Sequence, residues 1–530
     1  MLLALALLVQ DPLAVRADTI QARHDALHYD IAVAVSDTGR RIAAEVTTRW
    51  VLRAPGPVVA SLDSSFAVLG TWVSDPSDRA MHRVRWRAAH GILAIPVAGT
   101  PGDTVTTRIR YRGTPRDGLI LRRAPDGTLT AFADNWPDRA HRWFPSQDVP
   151  GDKATAAFRI SAPRGYQVIA NGTLERVDTA ADGATVWRYR LDRPVSPYNL
   201  VFGLARFAVT RLGTAGCKLA CVPISVWTYP QDSAFAVNGP FRRAGEIVDY
   251  FQDLVGWYPY PKLAHVESST RFGGMENASS IFYDENAYRD RKLSEETVAH
   301  ETAHQWFGDA VTEADWHHLW LSEGFATYFA ALWVAHADGD SAGRADLAHA
   351  AQQVFRSAAT ERPIVDTAAR DLMGLLNSNN YPKGAWVLHT LRHLVGDSAF
   401  WAGIRTYYAR YRDSTVLSSD FARTMSEAAG TDLSWYFRQA LLQPGYPELE
   451  VHPAFDSAAR RLVLTVRQVQ PGRWGTFRLP GLQFALDSTV VQGNVDGLET
   501  TLTFDGVAAI PRRIVVDPDG WWLLQARVVP

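Results

Sequence analysis

The sequence predicts a multidomain α+β protein, and three observations carry that prediction. Apolar and polar residues alternate through most of residues 26–207, with Gly, Pro, Asp and Asn at the breaks, as strands joined by turns require. Helical spacing dominates between Arg243 and Leu442. Alternation resumes from Leu449 to Val529, beyond the breaker-rich Gln443-Pro-Gly-Tyr-Pro447. At 530 residues, 47% hydrophobic and 21% charged, the chain has room for roughly three or four domains and a globular composition that argues against disorder. Lys plus Arg number 54 and Asp plus Glu 56, a formal charge of −2, so the balance indicates neither a nucleic-acid partner nor an acidic tail.

Residues 1–17 open with an apolar run, Met1 to Val9, and a plausible cleavage zone at Ala14 to Ala17. This resembles a signal peptide, though no positive charge precedes the run. It is too short to span a membrane, and no later stretch reaches about 18 uninterrupted apolar residues. Export to the periplasm or beyond is therefore expected, with the cytoplasm as the alternative.

An amino-terminal β domain is expected over 18–207, with strands at Leu27 to Val35, Arg41 to Leu52, Val84 to Val97, Thr104 to Tyr111, Lys153 to Ala162 and Val186 to Leu191 in a large antiparallel sheet. A central domain over 208–445 opens with a helix from Arg243 to Leu254, bounded by Pro240 and Gly256. Short strands at Val266 to Ser268 and Ser279 to Tyr283 follow. Further helices are read at Leu321 to about His336, Ala345 to Thr360, Gly384 to Val395, Ser398 to Tyr411, Ser418 to Gly430 and Leu433 to Leu442. Residues 446–530 carry short alternating runs at Leu462 to Val466, Thr476 to Leu479, Thr489 to Gln492, Thr500 to Phe504 and Arg513 to Val516, the pattern of a β-sandwich. The only cysteines, Cys217 and Cys221, either close a small disulfide loop or remain thiols.

The chemistry concentrates between Ser294 and Phe329. His300 and His304 are four residues apart, which on a helix places both imidazoles on one face, one turn apart, where they can share a metal ion. Glu301 stands beside them with the reach of a general base acting on water. A metal that does chemistry needs a third protein ligand and keeps its fourth position for water. Glu323, nineteen residues after His304, is the candidate. A Gly at 307 and a His at 310 would give an alternative three-histidine set, but those positions hold Phe307 and Ala310. His389 and His393 are also four apart, but no Glu follows the first and no third ligand is evident, so they read as a helix-surface pair. The adjacent His317 and His318 cannot share a helix face and are read as shaping the loop before Glu323.

His300-Glu-Thr-Ala-His304, then eighteen residues, then Glu323 within Trp320-Leu-Ser-Glu-Gly-Phe-Ala resembles the zinc aminopeptidase family of aminopeptidase N and leukotriene hydrolase. Gly273-Gly274-Met275-Glu276-Asn277 matches that family's G-x-M-E-N motif, and Tyr381-Pro-Lys383-Gly384 its Y-x-K-G motif. The resemblance implies a saddle-shaped amino-terminal β domain, a thermolysin-like catalytic domain and a carboxy-terminal β-sandwich. It also implies one zinc ion on His300, His304 and Glu323, Glu301 as general base, and Tyr381 as oxyanion donor. Glu276 would then face the α-ammonium of a peptide laid along the Gly273–Asn277 edge, with Asn277 orienting backbone. One departure concerns a second amine-binding Glu or Gln of the family; Phe132-Ala-Asp134-Asn135-Trp136 stands there instead.

The expected function is thus removal of amino-terminal residues from peptides with a free amino end. A thermolysin-type endopeptidase shares the zinc chemistry and competes with it, and a peptide-binding homologue without catalysis is the alternative of another class. The family's dual-function epoxide hydrolase branch has an extra tyrosine where this chain has Leu376.

Overall fold

A computed structural model describes residues 11–17, 24–36, 39–75, 78–124 and 126–529. The apolar run Met1 to Val9 lies outside the described residues. The chain divides into two compact units, residues 16–316 with 405–417, and residues 317–404 and 418–530 with the amino-terminal segment to Val15.

The first unit is dominated by an eight-stranded sheet in the order Thr173–Thr179, Thr185–Val195, Ala154–Ala162, Asp25–Val35, Ile42–Val51, Thr104–Gly113, Phe66–Asp75 and Asp78–Val84. Burial alternates along Ile42–Val51 and Thr104–Gly113, the period-two signature of strands with one face in a core. The sheet is antiparallel except at one place, where Asp25–Val35 runs parallel to Ala154–Ala162. A four-stranded sheet contains Leu129–Ala133, buried along its whole length.

One strand expected from the sequence is corrected. Val84 to Val97 is not continuous: the sheet strand ends at Val84, and Arg87–Ala89 and Ile92–Ile95 pair as a hairpin. His90 and Gly91 turn that hairpin at φ of 50° and 78°, a left-handed conformation that stops a strand.

The five-stranded sheet of this unit begins at Ala208 and runs Ala208–Ala215, Val222–Thr228, Leu263–Ser268, Ser280–Asp284 and Gly274–Met275. Its last member, antiparallel to Ser280–Asp284, is an edge strand. The helices Ala244–Val255 and Glu295–His304 belong to the same unit. Cys217 and Cys221 form a disulfide.

The second unit contains the helices Trp320–Asp338, Asp340–Phe355, Ser418–Ala429 and Ser434–Leu442. The expected helix Ala345 to Thr360 is therefore shifted, because Asp340 starts it directly after Gly339, whose φ of 96° ends the preceding helix. The helical run from Gly384 is broken at Gly396, where two separate helices were expected. Beyond Tyr446, a four-stranded sheet (Glu499–Asp505, Arg461–Gln468, Glu448–Asp456, Gln525–Val528) and a three-stranded one (Thr489–Val495, Leu479–Leu486, Ile514–Val516) enclose a core of Val451, Leu464, Leu482, Phe484 and Val495. The strand expected at Thr476 to Leu479 instead starts at Leu479, since Phe477 N–H donates to the Gln468 side chain and not to a strand partner. Among the described residues no helix is long and apolar enough to cross a membrane. The expected multidomain α+β class is the observed one.

Candidate active site

In the first unit the site begins with a capped helix. Ser294 Oγ accepts the Thr297 N–H at 3.1 Å, and Glu295 and Glu296 occupy the first turn, where carboxylates favour the helix dipole. Two turns on, His300 and His304 face one another with their Nε2 atoms 3.1 Å apart. His304 Nδ1–H donates to the Phe307 carbonyl at 3.1 Å, so its proton sits on Nδ1 and its Nε2 presents a lone pair.

Glu301 is 6% exposed and Glu276 5%. Donor atoms of Glu276, Glu301 and His304 all lie within 4.8 Å of one another. Two carboxylates this close and this buried demand positive charge nearby. The same field reaches Asp309: burial first, then the neighbouring Glu276 carboxylate, push its carboxyl well above the ordinary range.

Gly274 has a steric reason. A Cβ at 274 would collide with the Glu301 carboxylate where it now stands, so any larger residue on the edge strand Gly274–Met275 would displace the base. Gly273 is free of such a constraint. Met275 is buried at 3%, and Asn277, fully buried, donates to the Met275 carbonyl at 3.3 Å.

Sequence reading missed Gln305. Its Nε2 donates to the Glu276 carbonyl at 2.5 Å and to Asp309 Oδ2 at 2.9 Å, while its Oε1 accepts from Ser279 N–H at 2.8 Å and Tyr258 O–H at 2.9 Å. One buried amide thereby fills all its hydrogen-bonding capacity and ties the His300–His304 helix to Glu276, which directly follows the edge strand. No local pattern reveals this, because three of the four partners lie 26 to 47 residues away in the sequence.

The residues in place of the family's second amine-binding group are all engaged. Asp134 pairs with Arg139 at 3.2 Å and Arg271 at 3.1 Å. Asn135 donates to the Leu200 carbonyl at 2.8 Å and accepts from Trp143 Nε1 at 2.8 Å. Trp136 is buried edge-on against Phe272 and Trp316.

In the second unit Glu323, 6% exposed, lies in the first turn of Trp320–Asp338. Tyr381 O–H donates to its Oε1 at 2.8 Å. Two glycines set that distance: a Cβ on Gly324 would approach the Gly384 backbone to 2.9 Å, and one on Gly384 would approach Gly324 Cα equally closely. The glycine after Glu323 and the one ending Tyr381-Pro-Lys383-Gly384 are thus a single backbone crossing. Pro382 lacks an N–H, and Lys383 N–H reaches back five residues to the Ser378 carbonyl at 2.9 Å. The result is a widened turn of the kind often found at functional sites, with half-buried Tyr381 on it.

The tempting histidines are structural. His317 bonds the Ala369 carbonyl at 3.0 Å, and His318 bonds Ser418 Oγ at 2.7 Å and the Val15 carbonyl at 2.8 Å, which pins the loop before Glu323. His389 and His393 both stack on Trp521, with ring centroids 4.7 and 4.9 Å away.

The site thus combines a capped helix with paired imidazoles, adjacent buried carboxylates and a sheet whose last member is an edge strand. Residues 241–439 match the Peptidase family M1 domain. The chain is 29% identical over 357 residues to glutamyl aminopeptidase of Bos taurus, covering 64% of this chain and 36% of that protein. It is 29% identical over 374 residues to probable aminopeptidase 1 of Sulfurisphaera tokodaii, covering 66% and 46%. Legionella pneumophila aminopeptidase A, solved in complex with aspartic acid, superposes with a TM-score of 0.82 at 18% identity, over 97% of this chain and 61% of that one. The likeness to peptidase family M1 thus centres on residues 241–439, and the solved structure shares the fold. The chain matches less than half the length of these curated relatives, whose family implies a bound metal ion.

Proposed function

We propose that this protein is a zinc aminopeptidase that removes residues one at a time from the free amino end of peptides. The observation that carries the reading is the clustering of Glu276 and Glu301 with His304 beside an edge strand. Excess buried negative charge suits both a divalent cation and a substrate ammonium, and an edge strand can accept an extended peptide backbone.

We assign the metal to His300, His304 and Glu323. The donor chemistry fits: two imidazoles, one with its Nε2 lone pair fixed by the Nδ1 hydrogen bond, and a carboxylate held by Tyr381. Zinc suits such a set, and when bound it would supply Lewis acidity that polarises the scissile carbonyl and acidifies a water. Glu301 takes the proton of the attacking water and delivers it to the leaving amine. The single proton of the Tyr381 hydroxyl, given to Glu323 Oε1 in the structure, turns to the oxygen on which negative charge develops. Glu276 pairs with the α-ammonium and so fixes the first peptide bond as the one cleaved. Gly273, Gly274, Met275 and Asn277 shape the strand along which the peptide lies.

Export is part of the same proposal. The Cys217–Cys221 disulfide supports it, since such bonds persist in oxidising compartments.

The test of the activity is a kinetic comparison of one peptide with its amino end free and acetylated. A charged hydrogen bond to Glu276 is worth about 1.5–3 kcal/mol, or about ten- to a hundredfold in rate, so acetylation should lower hydrolysis by at least that factor. Glu276→Ala should erase most of the difference. Equal cleavage of both forms by the wild type would refute the aminopeptidase assignment and favour an endopeptidase.

A further inference from the structure

A cleft in the second unit is lined in part by Lys383, from the turn that carries Tyr381. It opens to solvent and is lined mainly by Trp386, Val387, Tyr446, Phe477, Leu479 and Leu523, with Lys383 and Trp522 among them. The polar groups of its wall are nearly all occupied. Tyr436 O–H donates to the Val387 carbonyl at 2.6 Å, Thr390 Oγ1 to the Trp521 carbonyl at 2.9 Å, and Gln439 Oε1 accepts the Arg478 N–H at 2.7 Å.

Two donors are left over. Lys383 is 5% exposed and Trp522 6%, and neither Lys383 Nζ nor Trp522 Nε1 has a hydrogen-bond partner among the described residues. A buried ammonium without a partner is costly and rare. Burial accordingly pulls Lys383 down to about 7. The wall contains no acidic side chain, so Lys383 is its only ionisable group apart from the phenols.

We propose that this cleft is a binding site for a small monocarboxylate with an aromatic or branched apolar body, its carboxylate held by Lys383 Nζ and Trp522 Nε1. The unspent groups are both donors, which calls for an acceptor. The single cation without a balancing acid favours an anion over a zwitterion, whose ammonium would find no partner. The aromatic and aliphatic lining takes the apolar body. Lys383 sits two residues from Tyr381 in the same widened turn, so an occupant would press on the segment that places the tyrosine hydroxyl. The binding claim stands on the cleft alone and does not depend on the catalytic reading.

The test measures binding, by calorimetry and by the shift in melting temperature of the full chain, with 3-phenylpropionate as probe. Phenethylamine, 3-phenylpropanamide and phenylalanine serve as the cationic, neutral and zwitterionic counterparts. Wild type should bind 3-phenylpropionate at least about tenfold more tightly than any of the three, the lower end for a charged hydrogen bond. Lys383→Met should abolish that preference, and Trp522→Phe should weaken binding of the acid several-fold. Ala440→Phe, which keeps both donors and fills space in the wall, should remove binding of the acid, and it decides the matter should Lys383→Met fail to fold. The proposal is overturned if wild type shows no preference for the acid, or if either Lys383→Met or Ala440→Phe binds it as wild type does.

Discussion

At the scale of single residues, the site depends on contacts that lie within one or two atoms of failure. A methyl group at 274 would occupy the space of the Glu301 carboxylate, so Gly274→Ala should lower turnover by about the same factor as removing the base itself. That factor is at least about 100, the lower end for general-base catalysis, and Glu301→Gln provides the reference. Both variants should retain one metal ion per chain by elemental analysis. Gly274→Ala with near-normal turnover would show that the base does not act from this position. The pairing of His300 with His304 was legible in the sequence because helical period alone puts them together. In the sequence Gly274 is legible only as part of a motif; the group that approaches it, Glu301, comes from the tertiary fold. Gln305 was not legible at all. Its four partners converge from Tyr258, Glu276, Ser279 and Asp309, and nothing periodic links those positions. Gln305→Leu keeps the volume but leaves the Ser279 N–H without its acceptor, while Tyr258 O–H keeps the Lys262 carbonyl at 3.0 Å. At about 1–3 kcal/mol for a buried group left unsatisfied, a clear drop in the urea midpoint is expected, together with weaker binding of amino-terminal substrates.

At the scale of elements, the crossing of Gly324 and Gly384 decides where Tyr381 stands. Gly384→Ala forces two backbones apart that now approach within van der Waals contact, and it should break the 2.8 Å bond from Tyr381 to Glu323. The expected readout is a fall in kcat comparable to that of Tyr381→Phe, where loss of an oxyanion donor is worth about 2.7–4 kcal/mol. An effect on KM alone would mean the tyrosine serves binding. The docking of the helix that starts at Gly384 against the segment before Gln525–Val528 rests partly on His389, whose ring stacks on Trp521 and whose Nε2–H donates to the Gly520 carbonyl at 3.1 Å. Burial lowers His389 to about 4, against an ordinary value near 6.5. Between those values the unfolded chain binds the extra proton, so stability should fall as pH drops from about 6.5 to about 4, by at most about 3 kcal/mol. His389→Phe should flatten that part of the urea-unfolding pH profile. The sequence located these helices because their apolar faces repeat with the helical period. It could not separate Arg87–Ala89 from Ile92–Ile95, because a turn made by positive φ at His90 and Gly91 leaves the alternation on either side intact.

At the scale of the whole molecule, the α+β class and the order of sheets and helices follow from local pattern, but the compact units do not. Residues 405–417 belong with the first unit although 317–404 and 418–530 belong with the second. That return is made by Ser414–Val416 pairing in parallel with Val311–Glu313, a contact about a hundred residues long in sequence that no window of composition reports. The same is true of the parallel register between Asp25–Val35 and Ala154–Ala162. The central claim, that Glu276 makes the first peptide bond the cleaved one, is tested most directly by a mass-spectrometric time course on a single hexapeptide with a free amino end. The account predicts a ladder in which one residue at a time disappears from that end, each product preceding the next. Internal fragments appearing before any singly shortened peptide would contradict it.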